Sequence, residues 1–269
     1  MKVIKDIIAR IKKHDIKKSA AQISYYNVIA FLTISAVIVY IAKFFPEFIN
    51  KVLENLESIL PSVIKGVFDN AVNEVNVPQN ITVLLFTTFT TIFFASRSFQ
   101  GIMEAFDNIY EIDQSRKLIR AKAVSIFFTL SMFVMIVAMF YISVMGETFA
   151  DNLFQNLQFL KVFNMFRAYG TIIILIIIMT LMYVYLPNMK IKVKHAIPGA
   201  LFTSIIWLAL SRFFSFYVSN ITSFSWVLGS FGSIFAFMIW IFWLSIIVLI
   251  GAEINSFIIN RHDKKSIQK

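Results

Sequence analysis

The stretch GSFGSIFAFMIWIFWLSIIVLIGAEIN (Gly229–Asn255) carries no charged side chain before Glu253. A helix of about 20 apolar residues crosses the hydrocarbon of a bilayer, and this run is long enough to do so. Five more stretches have the same character, which gives six spans: Gln22–Phe45, Ile81–Met103, Ala121–Gly146, Ala168–Pro187, Ala196–Val218 and Phe231–Ile258. The chain is 58% hydrophobic and 15% charged, against roughly a quarter charged in soluble domains. Because the apolar excess lies in long runs, the expected fold class is all-α, a polytopic membrane bundle of six transmembrane helices.

The loops set the expected orientation. Lysine and arginine collect before the first span (Lys2, Lys5, Arg10, Lys12, Lys13, Lys17, Lys18) and between spans two and three (Arg116, Lys117, Arg120, Lys122). They return between spans four and five (Lys190, Lys192, Lys194) and in the tail (Arg261, Lys264, Lys265, Lys269). The alternate loops hold only Lys51, Lys65, Lys161 and Arg167. Cytoplasmic loops carry the basic excess, so both termini are expected in the cytoplasm. That distribution also accounts for the net charge of +10. The expected partners are membrane lipids with anionic headgroups at the cytoplasmic face. No basic patch interleaved with stacking aromatics suggests nucleic acid, and a homo-oligomer is compatible with the sequence.

The sequence divides into a basic amphipathic helix at 1–20, a single six-helix transmembrane domain at 21–260 and a basic tail at 261–269. Val3, Ile4, Ile7, Ile8 and Ile11 repeat at helical spacing against lysines, the pattern of a helix lying on a leaflet; a tail helix packed on the protein itself is the alternative. Segments 46–80 and 147–167 carry shorter apolar stripes, expected to be interfacial helices that cap or gate the outer face. Without cysteine, the chain has no disulfide, thiolate metal site or cysteine nucleophile.

Four patterns occur in order: AAQISYYNVIAFLTI (Ala20–Ile34), FFASRSFQGIMEAFDNIYE (Phe93–Glu111), YLPNMKIKVKHAIPGALFTSIIWLALSRFFSFYVSN (Tyr185–Asn220) and the Gly229–Asn255 stretch. Together they resemble the YihY/virulence factor BrkB family over essentially the whole chain. The resemblance implies about six spans and a location in the bacterial inner (plasma) membrane. One departure is Leu228-Gly229, where the family usually has Tyr-Gly, which puts in doubt any role for a tyrosine hydroxyl there. The family also carries an old label, ribonuclease BN. The residues here argue against it, because phosphodiester hydrolysis usually needs a metal-binding cluster or a general acid/base pair. His14, His195 and His262 are scattered over three basic segments and are expected at the surface; no metal or other cofactor is expected.

Charges within spans are expensive and default to functional candidates. At about 1.5 Å rise per residue, Arg97 lies about 24 Å into span two and Glu104 about 10 Å deeper. Arg97, Gln100, Glu104 and Asn108 share one helical face. Glu253 and Asn255 on span six, Tyr25, Tyr26 and Asn27 on span one, and Asn188 after span four reach a similar depth. These residues are the candidate substrate-binding or gating set, with Arg97 expected to pair with Glu253 or with the span-one tyrosines and amides. In contrast, Asp107 and Glu111 are expected in water. Arg212 and Lys43 sit near outer ends, where snorkelling is cheap. Pro187, Pro198, Gly199, Gly229 and Gly232 are helix breakers expected to punctuate spans four, five and six, while Ser204, Ser211 and Ser215 mark a close-packing seam on span five.

The leading functional expectation is a non-enzymatic transport-type protein that moves a lipid or another amphipathic or anionic substrate. The alternative is a non-transporting scaffold or envelope-maintenance factor. An intramembrane enzyme ranks third, because only Glu104 and Glu253 offer paired acids.

Overall fold

The computed structural model describes residues 2–42, 81–112, 123–131, 172–220 and 222–267. Among them are seven helices and no strand: α1 (Lys2–Lys13), α2 (Ile16–Ala42), α3 (Ile81–Ile109), α4 (123–131), α5 (Ile172–Tyr185), α6 (Val193–Asn220) and α7 (Thr222–Ile267). Four of these are long and apolar enough to cross a membrane, over Ile16–Val37, Ile81–Ile109, Val193–Tyr217 and Phe235–Asn260. α5 is a shorter apolar helix. Lys43, the segments 46–80 and 147–167, and most of the expected third span lie outside the described residues.

Sequence-expected boundaries move in three places. Chain segment 1–20 is not one helix: it breaks at His14–Asp15, where Asp15 takes a left-handed φ of 48° and its carbonyl accepts from the Lys18 and Ser19 amides. Gly229 and Gly232 precede the last apolar span, Phe235–Asn260, but do not open its helix, because α7 runs through both. At about 1.5 Å per residue, its 46 residues make it about 69 Å long, roughly twice the hydrocarbon thickness. Pro198 does not open its helix either, since α6 begins at Val193.

Packing centres on α7, which contacts α1, α2, α3 and α6, while α2 also lies along α3. The α2–α3 contact follows from small residues. Ser98, Gly101 and Ala105 form a buried row on α3, and a side chain added at Gly101 would press on Ile23 at 3.3 Å. Small rows of this kind let membrane helices approach closely. One core cluster joins Ile16, Ile23, Phe106, Ile109, Tyr183, Leu186, Ala200 and Leu249; a second joins Val28, Phe214, Phe237, Trp240 and Leu244. Large apolar side chains on α3 face outward, including Phe86 and Phe89, each 69% exposed. A lipid-facing surface accepts that exposure, whereas water would penalise it.

Candidate functional site

The buried charged and amide side chains, His14, Asp107, Glu253 and Asn255, collect at the end of the bundle that carries the N-terminus. Glu253 on α7 is fully buried. Arg10 Nε donates to its Oε2 at 2.8 Å, and His14 Nδ1 pairs with its Oε1. Arg10 also donates to Ser256 Oγ at 2.8 Å and to the Ile109 carbonyl at 3.3 Å, which Ser256 also bonds at 3.1 Å. One guanidinium therefore ties α1 to α7 and to the C-terminal end of α3. A buried carboxylate without partners would cost several kcal/mol; Arg10 and His14 are the partners that offset that cost at Glu253.

The end of α3 is shaped to meet this group. Ile112 N–H donates to the Asp107 carbonyl and Glu111 N–H to the Asn108 carbonyl, the paired bonds of a Schellman cap. The cap requires a left-handed residue, usually glycine; here it is Glu111, with φ 56°. Its carboxylate accepts from Lys13 Nζ at 2.6 Å and lies 3.5 Å from His14 Nε2, near enough for an ion pair although no hydrogen bond is formed. The Lys13 hydrogen bond and charge hold the Glu111 carboxyl below its ordinary value. Asn108 Nδ2 adds a bond to the His14 carbonyl at 3.2 Å. The buried Tyr110 hydroxyl closes no hydrogen bond. Burial pushes its ionisation upward, with Asn255 opposing and Glu253 adding to the shift.

A second buried group joins α5, α6 and α7. Asn255 Oδ1 accepts the Gly199 N–H at 2.8 Å, and its Nδ2 donates to the Ala196 carbonyl at 3.2 Å. It thus braces the backbone around Pro198, whose ring nitrogen has no hydrogen to offer. Tyr183 donates to the Val248 carbonyl at 2.8 Å and shares a 2.7 Å bond with Thr203 Oγ1. Gly199 and Gly251 allow this proximity: a side chain on either would collide with the opposite backbone, Asn255, Thr203 or the Tyr183 hydroxyl. Gly199 is therefore a close-approach residue rather than a helix breaker. Ala200, Ser204 and Ser211 are buried, as a packing seam on α6 requires. Asn188, after Pro187, donates its N–H to Asp107 Oδ1 at 2.7 Å.

Several expected placements are corrected by this geometry. Arg97 does not pair with Glu253 or the α2 tyrosines: it is exposed, donates to Gln100 at 3.2 Å and lies over the Phe93 ring at 5.6 Å. The Ser98–Gly101–Ala105 row takes the contact with α2, and Arg97, Gln100 and Glu104 lie one residue, about 100°, round the helix from it. His14 is buried rather than at the surface, and Asp107 is buried rather than in water. The last turn of α1 does not lie on a leaflet, because Arg10 and His14 turn into the bundle and Ile11 packs on the core. Tyr25 is exposed, Tyr26 stacks near Phe94 at 6.4 Å, Asn27 is half-buried, and Arg212 is exposed.

Outside the buried groups, one row on α3 stays open. Phe86, Phe89, Phe93, Arg97, Gln100, Glu104 and Asn108 succeed one another at three- and four-residue spacing, and all but half-buried Gln100 are exposed. Its character changes along the axis, from aromatic in the middle of the helix to charged and amide groups towards Asn108.

Known proteins similar to this chain include membrane proteins. The chain is 25% identical over 271 residues to YfkH of Bacillus subtilis, whose name calls it ribonuclease-like, covering 99% of this chain and 98% of that one. A UPF0761 membrane protein of Chromobacterium violaceum is 35% identical over 107 residues, 40% of this chain and 25% of that protein. A Legionella pneumophila protein of the same designation is 34% identical over 76 residues, covering 28% and 18%. The aligned region thus spans about a quarter or less of the length of these two relatives. No solved structure matches the chain. The virulence factor BrkB family profile matches residues 7–269, and the chain is a multi-pass membrane protein that belongs to this family.

Proposed function

We propose that the chain is a transport-type protein of the bacterial inner membrane, with six spans and both termini cytoplasmic, that moves an anionic amphipathic substrate such as a lipid. The supporting observation is the open row on α3. An anionic headgroup suits Arg97, which offers a planar set of donors, with Gln100 beside it. An acyl or other apolar tail suits exposed Phe93, Phe89 and Phe86 on the same face. The row is amphipathic along the helix axis, which matches a molecule with a charged end and an apolar end. On this reading the protein needs no catalytic group, and basic loops at the cytoplasmic face meet anionic lipid.

Proteoliposomes with fluorescent anionic or zwitterionic phospholipids test the proposal. The wild-type protein should accelerate transfer of the anionic lipid between leaflets, and Arg97→Ala should lose most of that acceleration while remaining folded. Equal rates in empty, wild-type and mutant vesicles would sink the transport reading for these lipids. A second reading, a non-transporting scaffold, is favoured by the engagement of Glu253, Asn255 and Asp107 in joining helices. A scaffold would show no flux, and Arg97→Ala would leave it unchanged.

A further inference from the structure

His14 lies between two carboxylates that come from different parts of the bundle. Nδ1 pairs with Glu253 of α7, while Nε2, buried and without a hydrogen bond, faces Glu111 at the end of α3 from 3.5 Å. The other charged groups at this point are Arg10, on the second oxygen of Glu253, and Lys13, on Glu111. Tyr110 approaches from α3, and Asp15, next in sequence, is exposed. With His14 neutral, the two cations and two carboxylates balance. If Nδ1 then donates to Glu253, Nε2 offers only a lone pair towards the Glu111 oxygen. A second proton turns that lone pair into an N–H and gives both carboxylates a donor.

We propose that His14, Glu111 and Glu253 form a proton-binding site that latches α1 and the α1–α2 turn onto the end of the bundle. Proton uptake closes the latch by joining the turn to α3 and α7 at once. Proton loss removes only the donor to Glu111; Arg10 and His14 Nδ1 on Glu253, Lys13 on Glu111 and the Asn108 bond to the His14 carbonyl remain as ties. Asn108 is also the last residue of the open row on α3, so movement of this turn changes what borders the row at that end. The latch operates whether the protein is a transporter or a scaffold. The Lys13 hydrogen bond and charge hold the Glu111 carboxyl below its ordinary value, so a carboxylate oxygen faces Nε2.

The absence of native cysteine makes the test direct. Spin labels at Ala9→Cys on α1 and Asn260→Cys on α7, both exposed, report their separation by pulsed electron resonance in the full-length protein. Between about pH 5.5 and pH 8, the range in which histidine changes charge, the short-distance population should fall several-fold. His14→Gln should abolish the pH dependence, whereas His195→Gln should retain it. Glu111→Gln should move the transition to lower pH, because it removes one of the two groups that reward the proton. A distance distribution constant over this range, or a transition that survives His14→Gln, would overturn the proposal. So would a transition unmoved by Glu111→Gln.

Discussion

Glu253 and Arg97 are both charged side chains on long apolar helices, and their surroundings differ completely. Glu253 has no exposed surface and two basic partners. Arg97 is exposed, with one amide from its own helix and one ring beneath it. The same contrast extends to their neighbours. At the same end, Asn255 and Ser256 engage backbone groups of other helices, and Asp107 accepts the Asn188 N–H from the segment after α5. Around Arg97, Glu104 and Asn108 remain exposed. Polar groups that hold a membrane bundle together are buried with partners, because the hydrocarbon offers none. An open charged row is therefore available for something else.

The most severe way to test this contrast is to remove each charge in turn. Glu253→Ala leaves Arg10 and His14 facing an emptied pocket, and breaking a buried pair from one side costs about 3–5 kcal/mol. Thermal unfolding in detergent should show a large fall in Tm or a failure to assemble. Arg97→Ala, by comparison, should stay within about 0.5 kcal/mol of wild type, as exposed substitutions usually do. Similar losses from the two variants would erase the distinction between structural and open polarity.

Next in size is the α6–α7 contact. A methyl group at Gly251 would strike the Tyr183 hydroxyl and Thr203 Oγ1. Because those groups are themselves hydrogen-bonded and buried, they have little room to yield. Overpacking of this kind costs about 1–3 kcal/mol, so Gly251→Ala should lower Tm measurably, whereas Ala95→Gly on half-buried α3 surface should lower it less. Unfolding curves for Gly251→Ala and wild type that superimpose would mean the helices are not this close. Tyr183→Phe probes the same contact more gently. It removes two hydrogen bonds, each worth about 1 kcal/mol net, and leaves the Val248 carbonyl and Thr203 to find other partners. A Tyr183→Phe variant more stable than wild type would show that burying the hydroxyl costs more than its bonds return.

What could be read from sequence follows from what each signal measures. Apolar length located α2, α3, α6 and α7, because crossing the hydrocarbon needs length and little else. Distance along a helix placed Glu253 and Asn255 near the same end as the span-one polar residues. It gave no azimuth, and α7 is apolar on every side, so its sequence did not reveal which neighbour Glu253 meets. For α3, the small row Ser98, Gly101 and Ala105 was the better guide to the packed face, and it turns Arg97 away from the centre. Arg10 and His14 looked like members of a solvated basic tail. Their spacing carried a usable sign: Val3, Ile7, Arg10 and His14 follow at four, three and four residues, so the two polar groups continue an apolar stripe. Asp107 could be separated from Glu104 in the same way, because it shares a face with Met103 and Tyr110.

The smallest expected effect lies at Glu111, where the two kinds of polarity meet. Its left-handed φ of 56° costs a residue with a Cβ roughly 1 kcal/mol relative to glycine. Its exposed pair with Lys13 returns about 0–1 kcal/mol. Glu111→Gly removes both contributions, so its Tm at neutral pH should differ little from wild type. The balance should shift with acid in a definite direction. Lys13 depresses the folded-state pKa of Glu111 below 4.5; the pair therefore stabilises the fold above that value and loses its contribution as pH falls through the folded-state value. The backbone strain does not titrate. Glu111→Gly should thus become the more stable of the two at low pH, by up to about 1 kcal/mol. Paired unfolding measurements at neutral pH and below the carboxylate range would show whether the gap opens; a gap independent of pH would mean that Glu111 keeps its left-handed turn for a reason other than its pairing with Lys13.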